Sequence, residues 1–161
     1  MRLSGSCHCG SVQFSVESGT YYPFNRCYCS ICRKTTGAGG YAINLKADAN
    51  SLDVEDKENV KKVYHAHIDG KVSPAERHFC GKCGSHLWLW DPRWPDLLHP
   101  LAAAIDTDLP KTPETVHLML GSKASWIDVP DGPDHKHFPE YPEHSIDEWH
   151  RLHGLKEGET E

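Results

Sequence analysis

The seven cysteines of this 161-residue chain fall into three short clusters, and the partition gives them a chemistry. Three sulfurs lie in one run, Cys27-Tyr28-Cys29-Ser30-Ile31-Cys32. The other four form two distant pairs, Cys7-His8-Cys9 and Cys80-Gly81-Lys82-Cys83. Thiolates are soft ligands that suit zinc. A structural zinc is closed by four protein ligands, whereas a catalytic zinc keeps three and leaves one position open. The spacing therefore predicts two Zn²⁺ ions: a staple on Cys7, Cys9, Cys80 and Cys83, and a working site on Cys27, Cys29 and Cys32.

Disulfides and scattered buried thiols are the competing explanations. Cysteine is often a small core hydrophobe, but chance scatter does not produce C-x-C, C-x-C-x-x-C and C-x-x-C in one chain. Complete disulfide pairing would strand one of seven. No apolar run approaches the ~20 residues of a membrane span, and the N-terminus lacks a signal-peptide pattern. The expectation is a cytoplasmic protein with reduced thiols and no membrane partner.

Three thiolates around Zn²⁺ carry a net charge of about −1, so this metal is a weaker Lewis acid than one held by neutral histidines. It acidifies a bound water less, which makes hydrolysis a poor fit. An incoming thiol, bound as thiolate, suits the soft site better. Directly after the triplet, Arg33-Lys34-Thr35-Thr36-Gly37-Ala38-Gly39-Gly40 couples two cations to a hydroxyl- and glycine-rich loop. That reads as an anion-binding rim, with Arg33 and Lys34 receiving a substrate carboxylate. Lys123 either reaches the same anion or is simply solvated. A non-enzymatic alternative makes the triplet a second structural site in a zinc-stabilised thiol-binding or interaction module, closed by His78 or His86.

The elements that must hold these residues read as mainly β. Thirteen glycines and eleven prolines favour a loop-rich fold held partly by metal over a helical bundle. Val12, Phe14 and Val16 alternate as in a half-buried strand. An extended Cys-x-Cys just before them would aim Cys7 and Cys9 at one metal and turn His8 away. Residues 18–25 read as a turn whose Tyr21, Tyr22 and Phe24 supply core more readily than a pocket wall. Residues 41–46, 60–68, 86–90 and 115–120 read as strands, with His65 and His67 on an exposed face. The polar stretch from Asp48 to Lys62 reads as a connection with a short strand. Residues 91–114 and 130–142 are proline-punctuated and read as irregular. Ser145-Ile146-Asp147-Glu148 has capping-box form, so a short C-terminal helix follows, with Trp149 and Leu152 on one apolar stripe before Gly154. One domain over residues 1–155 and an acidic tail over 156–161 account for the whole chain.

The formal charge is −6, and about −9 once seven thiolates and two Zn²⁺ are counted. Neutralising phosphates requires a basic face, so nucleic acid is excluded as a partner.

Cys7-His8-Cys9-Gly10-Ser11-Val12, the triplet run through Arg33-Lys34, and Phe79-Cys80-Gly81-Lys82-Cys83-Gly84 resemble the glutathione-dependent formaldehyde-activating (GFA) family, also called the CENP-V/GFA domain. Lys123-Ala124-Ser125-Trp126 and the segment from Ser145 to Leu155 are similar to its C-terminal signatures. The resemblance covers nearly the whole chain and implies an Mss4-like fold with two zincs. On matching positions, Cys7, Cys9, Cys80 and Cys83 fall on the structural site and Cys27, Cys29 and Cys32 on the catalytic one. The implied activity is that of a carbon–sulfur lyase of the S-(hydroxymethyl)glutathione synthase kind. Its partners would be a small-molecule thiol, glutathione, and a small aldehyde, formaldehyde, with a homo-oligomer admitted.

Overall fold

The computed structural model describes residues 1–19, 24–36 and 39–154, so Tyr21 and Tyr22, Gly37 and Ala38 of the glycine-rich stretch, and the acidic tail lie outside the described residues. Three sheets organise the rest. The first is antiparallel, in the order β1 (Arg2–Ser6), β2 (Gln13–Glu17), β6 (Asp53–Glu55). The second is also antiparallel and runs β5 (Ala47–Asp48), β10 (Leu97–Pro100), β9 (His86–Trp90), β8 (Lys71–Cys80), β7 (Lys61–Ile68). In the third, β12 (His135–His137), β11 (Thr115–Leu118), β3 (Phe24–Cys27) and β4 (Ala42–Asn44) are neighbours in that order. There β11 runs parallel to both β3 and β12. Two seven-residue helices complete the described chain, α1 (Ser30–Thr36) and α2 (Ile146–Leu152). Among the described residues no helix is long and apolar enough to cross a membrane.

Local sequence explains much of this. Val12, Phe14 and Val16 all point inward, as their alternation requires, and Phe14 meets Trp88 edge-on with ring centroids 5.0 Å apart. Asp69 and Gly70 both have positive φ and join β7 to β8 in the two-residue turn that suits a twisted hairpin. His67 is exposed and His65 half-buried on β7. All four residues of β11 are buried, because this central strand is covered on both faces. Ser145 caps α2 as its sequence predicts: its hydroxyl accepts from the Glu148 amide and the Glu148 carboxylate accepts from the Ser145 amide. Trp149 is buried at the inner face, but Leu152 is exposed, so the apolar stripe is one residue shorter than expected.

Other expectations need correction. The residues after Cys32 do not enter a loop at once, because α1 continues to Thr36 and carries Arg33 and Lys34. β10 interrupts the proline-rich stretch, with Pro100 as its last residue. β12 likewise lies within residues expected to be irregular, added as an edge strand onto β11.

Candidate functional site

Cys7, Cys9, Cys80 and Cys83 come together with all four sulfurs within 4.8 Å of one another. The first pair is not extended. Gly10 at φ +74° lets its amide return to the Cys7 carbonyl at 2.9 Å, so a tight turn, rather than strand alternation, aims both sulfurs inward. The second pair repeats the device, with Gly84 at φ +79° donating to the Cys80 carbonyl at 2.8 Å. A hydrogen bond from the His8 amide to the Ser85 hydroxyl links the two turns, and the His8 side chain stays outside the cluster. The Ser85 hydroxyl holds the Cys83 thiol down at about 5, while burial pushes Cys80 up to about 11.

Tetrahedral Zn–S bonds of ~2.3 Å place sulfurs about 3.8 Å apart. The Cys7–Cys9 and Cys9–Cys80 separations are 3.5 and 3.8 Å. Four soft donors at that spacing fit zinc closely.

The second cluster forms where β3 ends and α1 begins. Cys27 closes the strand, Cys29 lies in the turn, and Cys32 sits in the first turn of the helix, again with all sulfurs within 4.8 Å. The Cys29 sulfur accepts from the Cys32 amide at 3.3 Å, as a helix-capping side chain would. Hydrogen bonds from Cys27 and Cys32, then those from the Cys32 and Ile31 amides, pull Cys29 to about 2. Cys27 is pushed up by donating to both neighbours and by burial. For Cys32, a hydrogen bond from Cys27 lowers it, but donation to Cys29 and burial prevail and raise it to about 12. Three soft donors gathered at a cavity wall fit a three-ligand zinc with one position open.

Among the described residues, no histidine or carboxylate joins this cluster. His78 instead bonds Glu76 at 3.0 Å and stacks on Trp88, and His86 stacks on Phe79. Neither is the fourth ligand that a closed site would need.

The triplet opens onto a cavity of about 330 Å³. Leu89, Trp94 and Leu97 give it an apolar side, and Tyr141 to Asp147 of the C-terminal segment give it a wall. Its basic groups are Lys46 and Arg77. Lys46 is ion-paired to Asp147, and Arg77 has a buried Nη1 with no hydrogen-bond partner. Arg33 and Lys34 do not line this cavity; Arg33 is half-buried on α1 and Lys34 is exposed. Lys123 is stitched to its own loop, its Nζ donating to the Ile127 carbonyl at 2.8 Å. His99 also lines the cavity, with Nδ1 2.9 Å from the Leu45 carbonyl oxygen. Burial holds its ring below the ordinary histidine value, although the Leu45 carbonyl favours the charged form.

Behind the triplet runs a buried polar chain. The Tyr28 hydroxyl meets His117 Nδ1 at 2.8 Å, and His117 Nε2 meets His135 Nδ1 at 2.8 Å. Tyr28 and His117 are fully buried, and burial lowers His117 to about 4, so its ring is neutral near pH 7. A neutral ring can accept from Tyr28 and donate to His135. Nothing in sequence order connects Tyr28 with His117 or His135; the parallel pairing of β3 with β11 and of β11 with β12 does.

Comparison with known proteins agrees with this geometry. Residues 2–121 match the family model described as glutathione-dependent formaldehyde-activating enzyme. A protein of Halomonas elongata, which carries the provisional name of glutathione-dependent formaldehyde-activating enzyme, is 58% identical over 158 residues, covering 98% of this chain and 100% of that protein. A crystal structure of a Rhodobacter sphaeroides protein superposes with a TM-score of 0.51 at 26% identity, over 66% of this chain and 91% of that one. The fold is thus mainly β and Mss4-like with a short C-terminal helix, and the matched residues include all seven cysteines but stop short of the 141–147 wall. The chain belongs to the glutathione-dependent formaldehyde-activating family.

Proposed function

We propose that the protein is a zinc-dependent carbon–sulfur lyase that joins the thiol of glutathione to formaldehyde, giving S-(hydroxymethyl)glutathione. The observation that carries the reading is the triplet of thiols, without a fourth protein ligand among the described residues, on the wall of a cavity large enough for a small molecule. In this reading Cys7, Cys9, Cys80 and Cys83 hold a structural zinc, and Cys27, Cys29 and Cys32 hold the catalytic one. The catalytic zinc, when bound, would supply a Lewis-acid position that lowers the pKa of the substrate thiol.

The remaining work falls to the chain itself. Formaldehyde offers little binding area, so recognition rests on the thiol carrier. Arg77 and Lys46 line the cavity and supply the positive charge that would receive its carboxylates, Lys46 by exchanging its Asp147 partner. Arg33 and Lys34, on the helix behind Cys32, add positive potential farther out. Leu89, Trp94 and Leu97 exclude water, and fixing the sulfur beside the carbonyl carbon supplies much of the acceleration by orientation alone. Seven free thiols suit a reducing compartment, and the cytoplasm is where we place the protein.

The test is the rate of S-(hydroxymethyl)glutathione formation above the spontaneous rate, for wild type and Cys29→Ser. The expected result is acceleration by wild type that the variant loses. A zinc-replete wild type no faster than the spontaneous reaction would remove this function.

A further inference from the structure

The cavity contains a group poised to move a proton. His99 stands on β10, where it pairs with Leu89 of β9 while the two preceding residues, Leu97 and Leu98, pair with β5. Its ring lines the same cavity as the three cysteines. Nδ1 lies 2.9 Å from the Leu45 carbonyl oxygen. A carbonyl can only accept, so Nδ1 carries the hydrogen, and in the neutral ring the lone pair is on Nε2. Among the described residues, no other hydrogen bond engages the ring.

The other titratable groups of the cavity suit this task less well. Arg77 is always protonated. Lys46 is ion-paired to Asp147. Tyr141 is a phenol, ordinarily protonated near pH 7, so it cannot accept a proton there. His144 is exposed, with its Nδ1 4.0 Å from a Glu148 carboxylate oxygen, and no backbone carbonyl fixes its tautomer.

Resting on the lyase reading above, we infer that His99 is the proton carrier of the reaction, accepting the thiol proton at Nε2 and returning it to the product oxygen. The step balances without any other reagent. The S–H bond of the thiol breaks and its proton goes to Nε2. The sulfur lone pair forms the C–S bond, and the C=O π pair moves to oxygen. The oxygen then takes the proton back from Nε2, so the ring ends neutral and the product is the neutral hydroxymethyl thioether. In the reverse direction the same nitrogen removes the hydroxyl proton and delivers it to the departing sulfur.

The test is His99→Asn, whose amide can still donate to the Leu45 carbonyl while the lone pair at the Nε2 position is lost. For the zinc-loaded protein, kcat should fall about 100-fold or more. KM for glutathione, zinc content and melting temperature should be unchanged. His99→Gln serves as a second variant if Asn disturbs β10. A readout independent of turnover is the number of protons released to buffer on glutathione binding, from calorimetry in two buffers of different ionisation enthalpy. Wild type should retain the thiol proton, and the variant should release about one more per glutathione. A variant within about twofold of wild-type kcat, with the same proton count, overturns the role of His99 while leaving the lyase in place. A wild type that does not accelerate the reaction overturns both.

Discussion

Cys29 receives more stabilisation of its thiolate than the other two members of the triplet, because two thiols and two backbone amides point at it. On the two-zinc reading proposed above, Cys29→Ser should lose one of two zinc ions and leave the melting temperature near that of wild type, since the triplet lies within one local turn. Cys80→Ser should lose the other zinc and much of the folded population, because its cluster ties residues 7 and 9 to residues 80 and 83. Zinc content measured beside thermal melts separates the two outcomes; equal destabilisation would contradict the division of labour. Arg77 makes a different kind of contribution. A hydrogen bond to a charged group is worth roughly 1.5–3 kcal/mol, less where water competes. Arg77→Gln should therefore raise KM for glutathione about tenfold with kcat little changed. An unchanged KM would remove Arg77 from thiol recognition.

Among the elements, α2 carries the C-terminal wall of the cavity and depends on its cap. Ser145→Ala removes one arm of the capping box and should cost about 1 kcal/mol, read as a lower melting temperature. Deleting the Tyr28 hydroxyl is a stricter test of packing. In Tyr28→Phe, the fully buried His117 loses its Nδ1 partner, and an unsatisfied buried acceptor costs roughly 1–3 kcal/mol. Denaturant melts would detect it, and no loss of stability would mean that the chain of hydrogen bonds is not closed in solution. Which elements were legible follows from how local their causes are. The β2 alternation and the capping box at Ser145 are written in adjacent residues, whereas Cys7 and Cys9, expected in an extended segment, lie in a turn closed at Gly10. β10 and β12 were not legible: their prolines and histidines argue against strands, and pairing with β9 and β11 overrides that preference. α1 is seven residues long and would be unstable alone; it forms with a cysteine sulfur at its start.

At the scale of the molecule, two cysteine clusters that could hold metal sit on different parts of one mainly β framework. One joins the start of the chain to its middle, and the other lies where β3, α1 and the C-terminal wall meet. Both sets of cysteines were legible because metal-binding spacings are short and specific. The cavity was not, because Lys46, Arg77, His99 and residues 141–147 are brought together only by sheet pairing and the docking of α2. Metal uptake must also depend on pH. Cys27 and Cys32 hold protons in the metal-free triplet and must release them to bind zinc. Affinity at the triplet should thus rise with pH and fall in acid, as competition with a chromophoric chelator at pH 6 and pH 8 would show. Equal affinity at both would contradict protonated ligands.

The most direct test of the open triplet is the near-ultraviolet and visible absorption spectrum of protein carrying Co²⁺ in place of zinc, recorded before and after glutathione is added. Sulfur-to-cobalt charge transfer should grow with glutathione in wild type, as a fourth sulfur joins the triplet, and should not change in Cys29→Ser. The four-cysteine cluster contributes a constant four-sulfur spectrum, so a wild type with two Co²⁺ bound whose spectrum does not respond to glutathione would contradict an open catalytic site.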